Sequence, residues 1–222
     1  MDVDETIAVT SAVTTQTNPR QHDDPLLEHA VRYAEERHWD VLPGTWLAYD
    51  KGVARCSCAV ETCYAPGAHP TRMDWPAHAT GSAVEARRLW EREPRAAILL
   101  PTGRTFDVLD VPETAGCLAL ARMERTGTEL GPVAGTPTGR LQFFVLPGGA
   151  TKVPGTLRRL GWEPATMDLV PRGEGDFVAA PPTRIGTRGS VQWARRPTTT
   201  NRWLPDAEQL LPTLAYACAQ ER

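Results

Sequence analysis

Apolar positions along the chain change their period several times, and each change marks a predicted element. Residues 1–24 have no apolar periodicity and predict a disordered acidic tail. Leu26, Leu27, Ala30, Val31 and Ala34 then recur at helical spacing behind Asp24 and Pro25, so a helix is predicted through Glu36. WDVLPGTWLAY, residues 39–49, reads as a strand. Thr80 or Ser82 caps a helix over SAVEARRLWEREP, with Val84, Leu89 and Trp90 on its apolar side and Pro94 at its end. AAILLPTGRTFDVLDVP holds two apolar runs separated by Pro101, Thr102 and Gly103, which predicts a hairpin.

Further along, CLALARMERTG predicts a helix stopped by Gly127, VAGTPTGRLQFFVLP a turn feeding a strand, and TLRRLG a short helix stopped by Gly161. MDLVP, FVAAPP and SVQWARRP read as three more strands. PDAEQLLPTLAYACAQER closes the chain as a helix with a break at Pro212. Helices and strands in this mixed order, with strands adjacent to strands, predict an α+β fold. The expected organisation is a tail over 1–24, one domain over 25–205, and a C-terminal helix over 206–222.

Composition narrows the class. A chain of 222 residues, 41% hydrophobic, can bury one substantial core. No apolar run approaches twenty residues, and the acidic, Thr-rich N-terminus lacks the pattern of a secretory signal. A cytoplasmic protein without membrane contact is therefore expected. Charge is unevenly spread: Asp2, Asp4, Glu5, Asp23, Asp24 and Glu28 face Arg20 alone, which is −5 for residues 1–28, and the net charge of −3 leaves +2 for the rest. Only Lys51 and Lys152 are lysines among the 24 basic residues. A body at +2 permits nucleic-acid contact without demanding it. Arg195 and Arg196, with Arg184, Arg188 and Arg202, form the best candidate basic edge.

One short loop is chemically pointed. RCSCAVETCYAPGAHP carries Cys56, Cys58, Cys63 and His69, three thiols and an imidazole at metal-site spacing. Zinc takes such ligands in a closed tetrahedral shell when its role is structural. Pro66 and Gly67 bend the chain between the third and fourth ligands. The alternative is a set of unrelated thiols in a loop, with or without one disulfide. The odd count of five cysteines, three in one loop, favours the metal. Cys117 and Cys218 sit among apolar neighbours in helical segments and read as buried thiols; His38 and His78 read as surface or packing residues. Most of the seven tryptophans, Trp90 and Trp193 among them, fall on apolar periodicities and are expected in the core.

Seven segments in order, HWDVLP, the CSC loop ending in PGAHP, W…AT before a helix, PRAAILLPTGRTFDVLDVP, GTPTGRLQFF, MDLVPRGEGDFVAAPPT and GSVQW, resemble the bifunctional DNA primase/polymerase N-terminal domain, the Prim-Pol branch of the archaeo-eukaryotic primases. The likeness covers about residues 28–197. Actinobacterial members often carry a CSC-type loop ending in Gly-Lys-His-Pro, on which Gly67, Ala68, His69 and Pro70 fall with alanine replacing lysine. The resemblance implies a Prim-Pol-like fold, an RRM-like sheet plus a second small α/β unit, with the cysteine loop as a structural zinc insertion. It also implies nucleotidyl transfer on a DNA template, with Mg2+ or Mn2+ held by carboxylates, because hard cations take hard oxygen ligands.

The family's polar positions are only partly kept. Asp110 falls on the first carboxylate of the Asp-x-Asp pair, whereas Pro112 falls on the second. Gly139 and Arg140 match the triphosphate-contacting turn, whereas Leu141 takes the place of its histidine. Asp168 matches the third carboxylate, and Pro181, Pro182 and Thr183 the segment beyond. The bland alternative is that Asp110 and Asp168 cap strand ends or pair with arginines, and that Arg140 is a solvated turn residue. The favoured expectation is a stand-alone, catalytically degenerate Prim-Pol-like module that binds DNA or nucleoside triphosphate, or acts with a replication or regulatory protein. The other is an active primase or polymerase that rebuilds its metal site with Asp107 or Glu113. In a regular strand Asp107, three residues before Asp110, should face the opposite side.

Overall fold

The computed structural model describes residues 26–199 and 201–221; the predicted acidic tail lies outside the described residues. In chain order the elements are α1 (Leu26–Arg37), β1 (Leu42–Pro43), β2 (Leu47–Asp50), β3 (Val53–Cys56), α2 (Ala83–Arg92), β4 (Ile98–Pro101), β5 (Asp107–Pro112), α3 (Glu113–Thr126), β6 (Val133–Thr136), β7 (Arg140–Val145), α4 (Gly149–Arg159), β8 (Val170–Arg172), β9 (Phe177–Ala179), β10 (Arg184–Ile185), β11 (Gly189–Ser190), β12 (Gln192–Arg195) and α5 (Ala207–Gln220). The fold is α+β, and every sheet pairing is antiparallel.

The centre is a five-stranded sheet in the order β12-β6-β7-β5-β8. From β5 to β8 the chain runs β-α-β-β-α-β, so the first strand lies beside the third and the last takes the outer place, as in a split βαβ unit. Alternation along β5 and β7 divides the side chains between two faces. Leu109, Val111, Leu141, Phe143 and Val145 join Met123 of α3, Val153 and Leu157 of α4, and Leu210, Leu211 and Leu214 of α5 in one buried cluster. Val108 and Phe144 turn the other way. They join Trp39, Trp90, Ile98, Leu100, Phe106 and Val178 in a second cluster under α1, α2 and the small sheet β1-β4-β9. Trp39 lies 5.1 Å from Phe144, ring centre to ring centre, and so ties the two halves together.

Local signals place several of these elements as predicted. Ser82 caps α2 by accepting from the Glu85 amide, and Gly127 ends α3 in the left-handed conformation at φ 70°. Val84 does not join the apolar side of α2: it is exposed, and Ala86 and Trp90 are the buried residues. The predicted hairpin of residues 96–112 is not one. β4 pairs with β1 and β9, whereas β5 pairs with β7 and β8, so the chain steps from one sheet to the other at Thr102 and Gly103. Gly103, at φ 101°, packs so close to the Glu174 backbone that a Cβ would fall 2.5 Å from its Cα. The single strand expected over 39–49 is split in two, because Gly44 and Thr45 turn to bond the chain around His69. α5 continues through Pro212 without a break. Cys117 is exposed on the outer side of α3, which corrects its reading as a buried thiol, whereas Cys218 is buried.

Candidate functional site

Two clusters of polar side chains stand out, one in the cysteine loop and one on the sheet. The loop begins on the β2–β3 hairpin. Cys56 is the last residue of β3, and the chain returns to it through Gly67, whose φ of 79° and close approach to Leu47 leave no room for a Cβ. The Gly67 amide donates to Cys56 Sγ at 3.2 Å. His69 is held by backbone and side chain together: its amide donates to Thr45 Oγ1 at 3.2 Å, and Nδ1 meets the Pro70 carbonyl at 2.8 Å. That contact makes Nδ1 the protonated nitrogen and leaves the lone pair of Nε2, 3.4 Å from Cys56 Sγ, available to a metal.

One ligand atom from each of Cys56, Cys58, Cys63 and His69 lies within 4.8 Å of the others. This Cys3His set fits a tetrahedral metal such as zinc, whose four positions it would fill. The thiols compete for charge in a way that a cation would relieve. Burial works to raise the Cys56 thiol, but the N–H donors of Cys58 and Gly67 and the Thr45 hydroxyl bring it down to about 6. Cys63 is pushed up to about 11 by burial and by its neighbours Cys56 and Cys58.

The second cluster lies on the face of the sheet turned away from α3, α4 and α5. Asp110 pairs in register with Gln142, and Pro112 with Arg140. All four side chains share that face, as does Asp168, two residues ahead of β8. Arg140 joins the carboxylates. Its Nε donates to Asp110 Oδ1 at 2.6 Å, Nη2 to the Asp110 carbonyl at 3.0 Å, and Nη1 to both oxygens of Asp168 at 2.7 and 2.8 Å. Gln142 Nε2 donates to Asp110 Oδ2 at 3.1 Å, and Arg172 Nε approaches the same oxygen at 3.4 Å. The Asp110 side chain is 4% exposed and that of Asp168 60%, so the guanidinium reaches from the interior to the surface. Burial works to lower the Arg140 pKa, but the bonds to Asp110 and Asp168 outweigh it and hold it above its ordinary value.

Asp110, Asp168 and Arg140 are thus brought together, and Gly139 sits beside them in the β6–β7 turn at φ 77°. Asp107 is not among them. It faces the helices, where Oδ2 accepts from the Ala150 amide at the start of α4 at 2.8 Å. Glu113 opens α3 next to the turn, its amide donating to the Gly139 carbonyl. Leu141 lies on the helix face, 3% exposed, so a histidine at that position would point into the core and away from Asp110. The residue that does face the carboxylate is Gln142, whose Oε1 is buried without a donor. Gln142 and Arg172 went unnoticed in the sequence; counting two places on from Arg140 would have found the first.

The family model of the bifunctional DNA primase/polymerase N-terminal domain matches residues 30–208, and the chain belongs to that family. A DNA primase/polymerase-related function follows from the membership. Comparison with curated proteins finds no match. Among the described residues no helix is long and apolar enough to cross a membrane.

Proposed function

We propose that this chain is a Prim-Pol domain that has kept its scaffold and lost metal-dependent nucleotidyl transfer, and that it serves DNA metabolism by binding nucleic acid or nucleotide or by acting with another protein. The carrying observation is the guanidinium of Arg140, bonded to Asp110 and Asp168 at 2.6 and 2.7 Å. Two metal ions in such a site would clamp the attacking oxygen and the triphosphate, and need anionic oxygen donors directed at them. Here the donors are directed at an arginine. Arg172 also reaches Asp110 and is shared with Asp176 at 3.8 Å, so the guanidiniums neutralise most of the charge that would draw in two divalent cations. Pro112 adds to the deficit, since it lies on the site face, opposite Arg140, and offers no oxygen from its side chain. As it stands, this donor set does not fit a two-metal centre.

The cysteine loop supports a structural role for zinc in this reading, since four protein ligands leave no coordination position for substrate. Primer extension on a DNA template with Mg2+ and with Mn2+ tests the proposal, and no incorporation above a protein-free control is expected. Templated incorporation that disappears in Asp110→Asn would overturn it.

A further inference from the structure

The chain after β12 is built around one buried amide. Asn201, 5% exposed, accepts from the Thr198 amide at 2.6 Å and donates to the Arg196 carbonyl at 2.9 Å. Arg37, the last residue of α1, donates to the Thr198 and Asn201 carbonyls at 2.9 and 3.0 Å and lies over the Trp39 ring, 5.2 Å from its centre. Helix end and loop are thereby fixed to each other. The result is a gathering of cations that nothing at the sheet site uses. Arg202 Nη2 stands 3.5 Å from His38 Nε2. Burial, and then the charge of Arg202 beside it, hold Arg37 below the ordinary guanidinium range. Arg32 and Arg196 are both close enough to act on the Tyr33 hydroxyl, which burial nevertheless raises.

The carboxylates around this group are largely committed. Glu36 lies 3.9 Å from Arg32 and also acts on Arg37, Glu124 takes Arg195 at 3.6 Å, and Glu35 is exposed on α1. Among the described residues Arg196 and Arg202 have no carboxylate within ion-pair distance, and both are exposed. Trp203, next in the chain to Arg202, is 78% exposed, although burying an indole is among the largest apolar gains available to a chain. Exposed guanidiniums with no carboxylate partner among the described residues suit phosphates, and an exposed indole next in the chain to Arg202 offers a stacking platform for a base.

From this geometry we infer that the end of α1, Arg196, Arg202 and Trp203 form a binding surface for single-stranded nucleic acid, with phosphates on the two arginines and a base on the tryptophan. The surface is separate from the carboxylates. Trp39, under Arg37, packs on Phe144, and Phe144 is four residues from Arg140 on the same face of β7, about 13 Å away. The inference deepens the nucleic-acid half of the proposed function. It does not depend on whether catalysis is lost, so incorporation in the primer-extension assay would leave it standing.

Fluorescence anisotropy of a labelled oligo-dT with the full chain, measured across a salt series, tests it. Arg196→Glu with Arg202→Glu should weaken binding about 30-fold or more and make the salt dependence shallower by about 1.4 in log–log slope, at about 0.7 per phosphate. Trp203→Ala should weaken binding about 10-fold with little change in slope, and Trp203→Phe should restore most of it. All three side chains are exposed, so melting temperatures should stay at the wild-type value. Wild-type affinity in the double charge reversal would overturn the inference, as would no retention of oligo-dT by the native chain at low salt. Polyglutamate competing as well as oligo-dT would assign the surface to an acidic protein and overturn it too.

Discussion

The cysteine loop and the carboxylates on the central sheet both gather donors of a kind that holds cations, and they differ in what fills the middle. In the loop the ligand atoms of Cys56, Cys58, Cys63 and His69 converge with no protein cation among them, and Cys63 is pushed up to about 11 by burial and by its crowded neighbours. On the sheet the carboxylates of Asp110 and Asp168 converge on a cation that the chain itself supplies. Convergence of ligands is therefore not by itself evidence of a metal. The sign and identity of the group at the focus decide.

The largest effect should come from the loop. Zinc analysis of protein purified without chelator should find about one ion per chain, and Cys56→Ser should remove it and lower the melting temperature by about 10 °C or more, since a structural metal contributes folding energy directly. Metal-free protein that melts like the native chain would erase the contrast between the clusters. Next comes Arg140→Ala, which leaves the buried Asp110 with only Gln142 and the longer contact to Arg172, and should cost about 3 kcal/mol in denaturant unfolding. The same variant should acquire Mn2+ binding, visible by calorimetry, that the native protein lacks. Failure of both changes would mean that the guanidinium does not stand in for a cation.

Smaller effects separate the two carboxylates. Asp110→Asn should cost about 1–2 kcal/mol, because Asp110 is buried and both its oxygens accept from neighbouring donors. Asp168→Asn, largely solvated, should stay within about 1 kcal/mol, and the reverse order would contradict the burial of the pair. Smallest is a calibration outside both clusters. Asp206 caps α5 by accepting from the Glu208 amide, and its pKa is held low first by Lys152 and then by that amide. A carboxyl with a depressed folded pKa contributes its stability above the unfolded value and loses it as pH falls through the folded one. Asp206→Ala should therefore cost about 1 kcal/mol at neutral pH, and the difference from the native chain should vanish in acid.

Local chemistry made part of this legible. α1 and α2 follow from 3.6-residue periodicity and a Ser82 cap, and the four cysteine-loop ligands from their closeness in sequence. The start of α4 was hidden, because Gly149, Pro154 and Gly155 argue against a helix that packing of Val153 and Leu157 imposes. Strand partners were hidden too: β4 and β5 are adjacent in the chain but pair in different sheets. On the sheet, pairing of Asp110 and Asp168 with an arginine was one of two readings open in the sequence. Register brings Gln142 opposite Asp110 and takes Leu141 out of consideration, and neither follows from motif spacing alone.

Pro112 has a consequence for the unfolded chain. It stands where β5 passes into α3, with φ at −53°, a value its ring already enforces. A proline in a compatible conformation restricts the unfolded chain, a gain of about 0.4–1 kcal/mol that an aspartate there would forfeit. Pro112→Asp would trade that gain for a side-chain oxygen at the edge of the arginine-filled site.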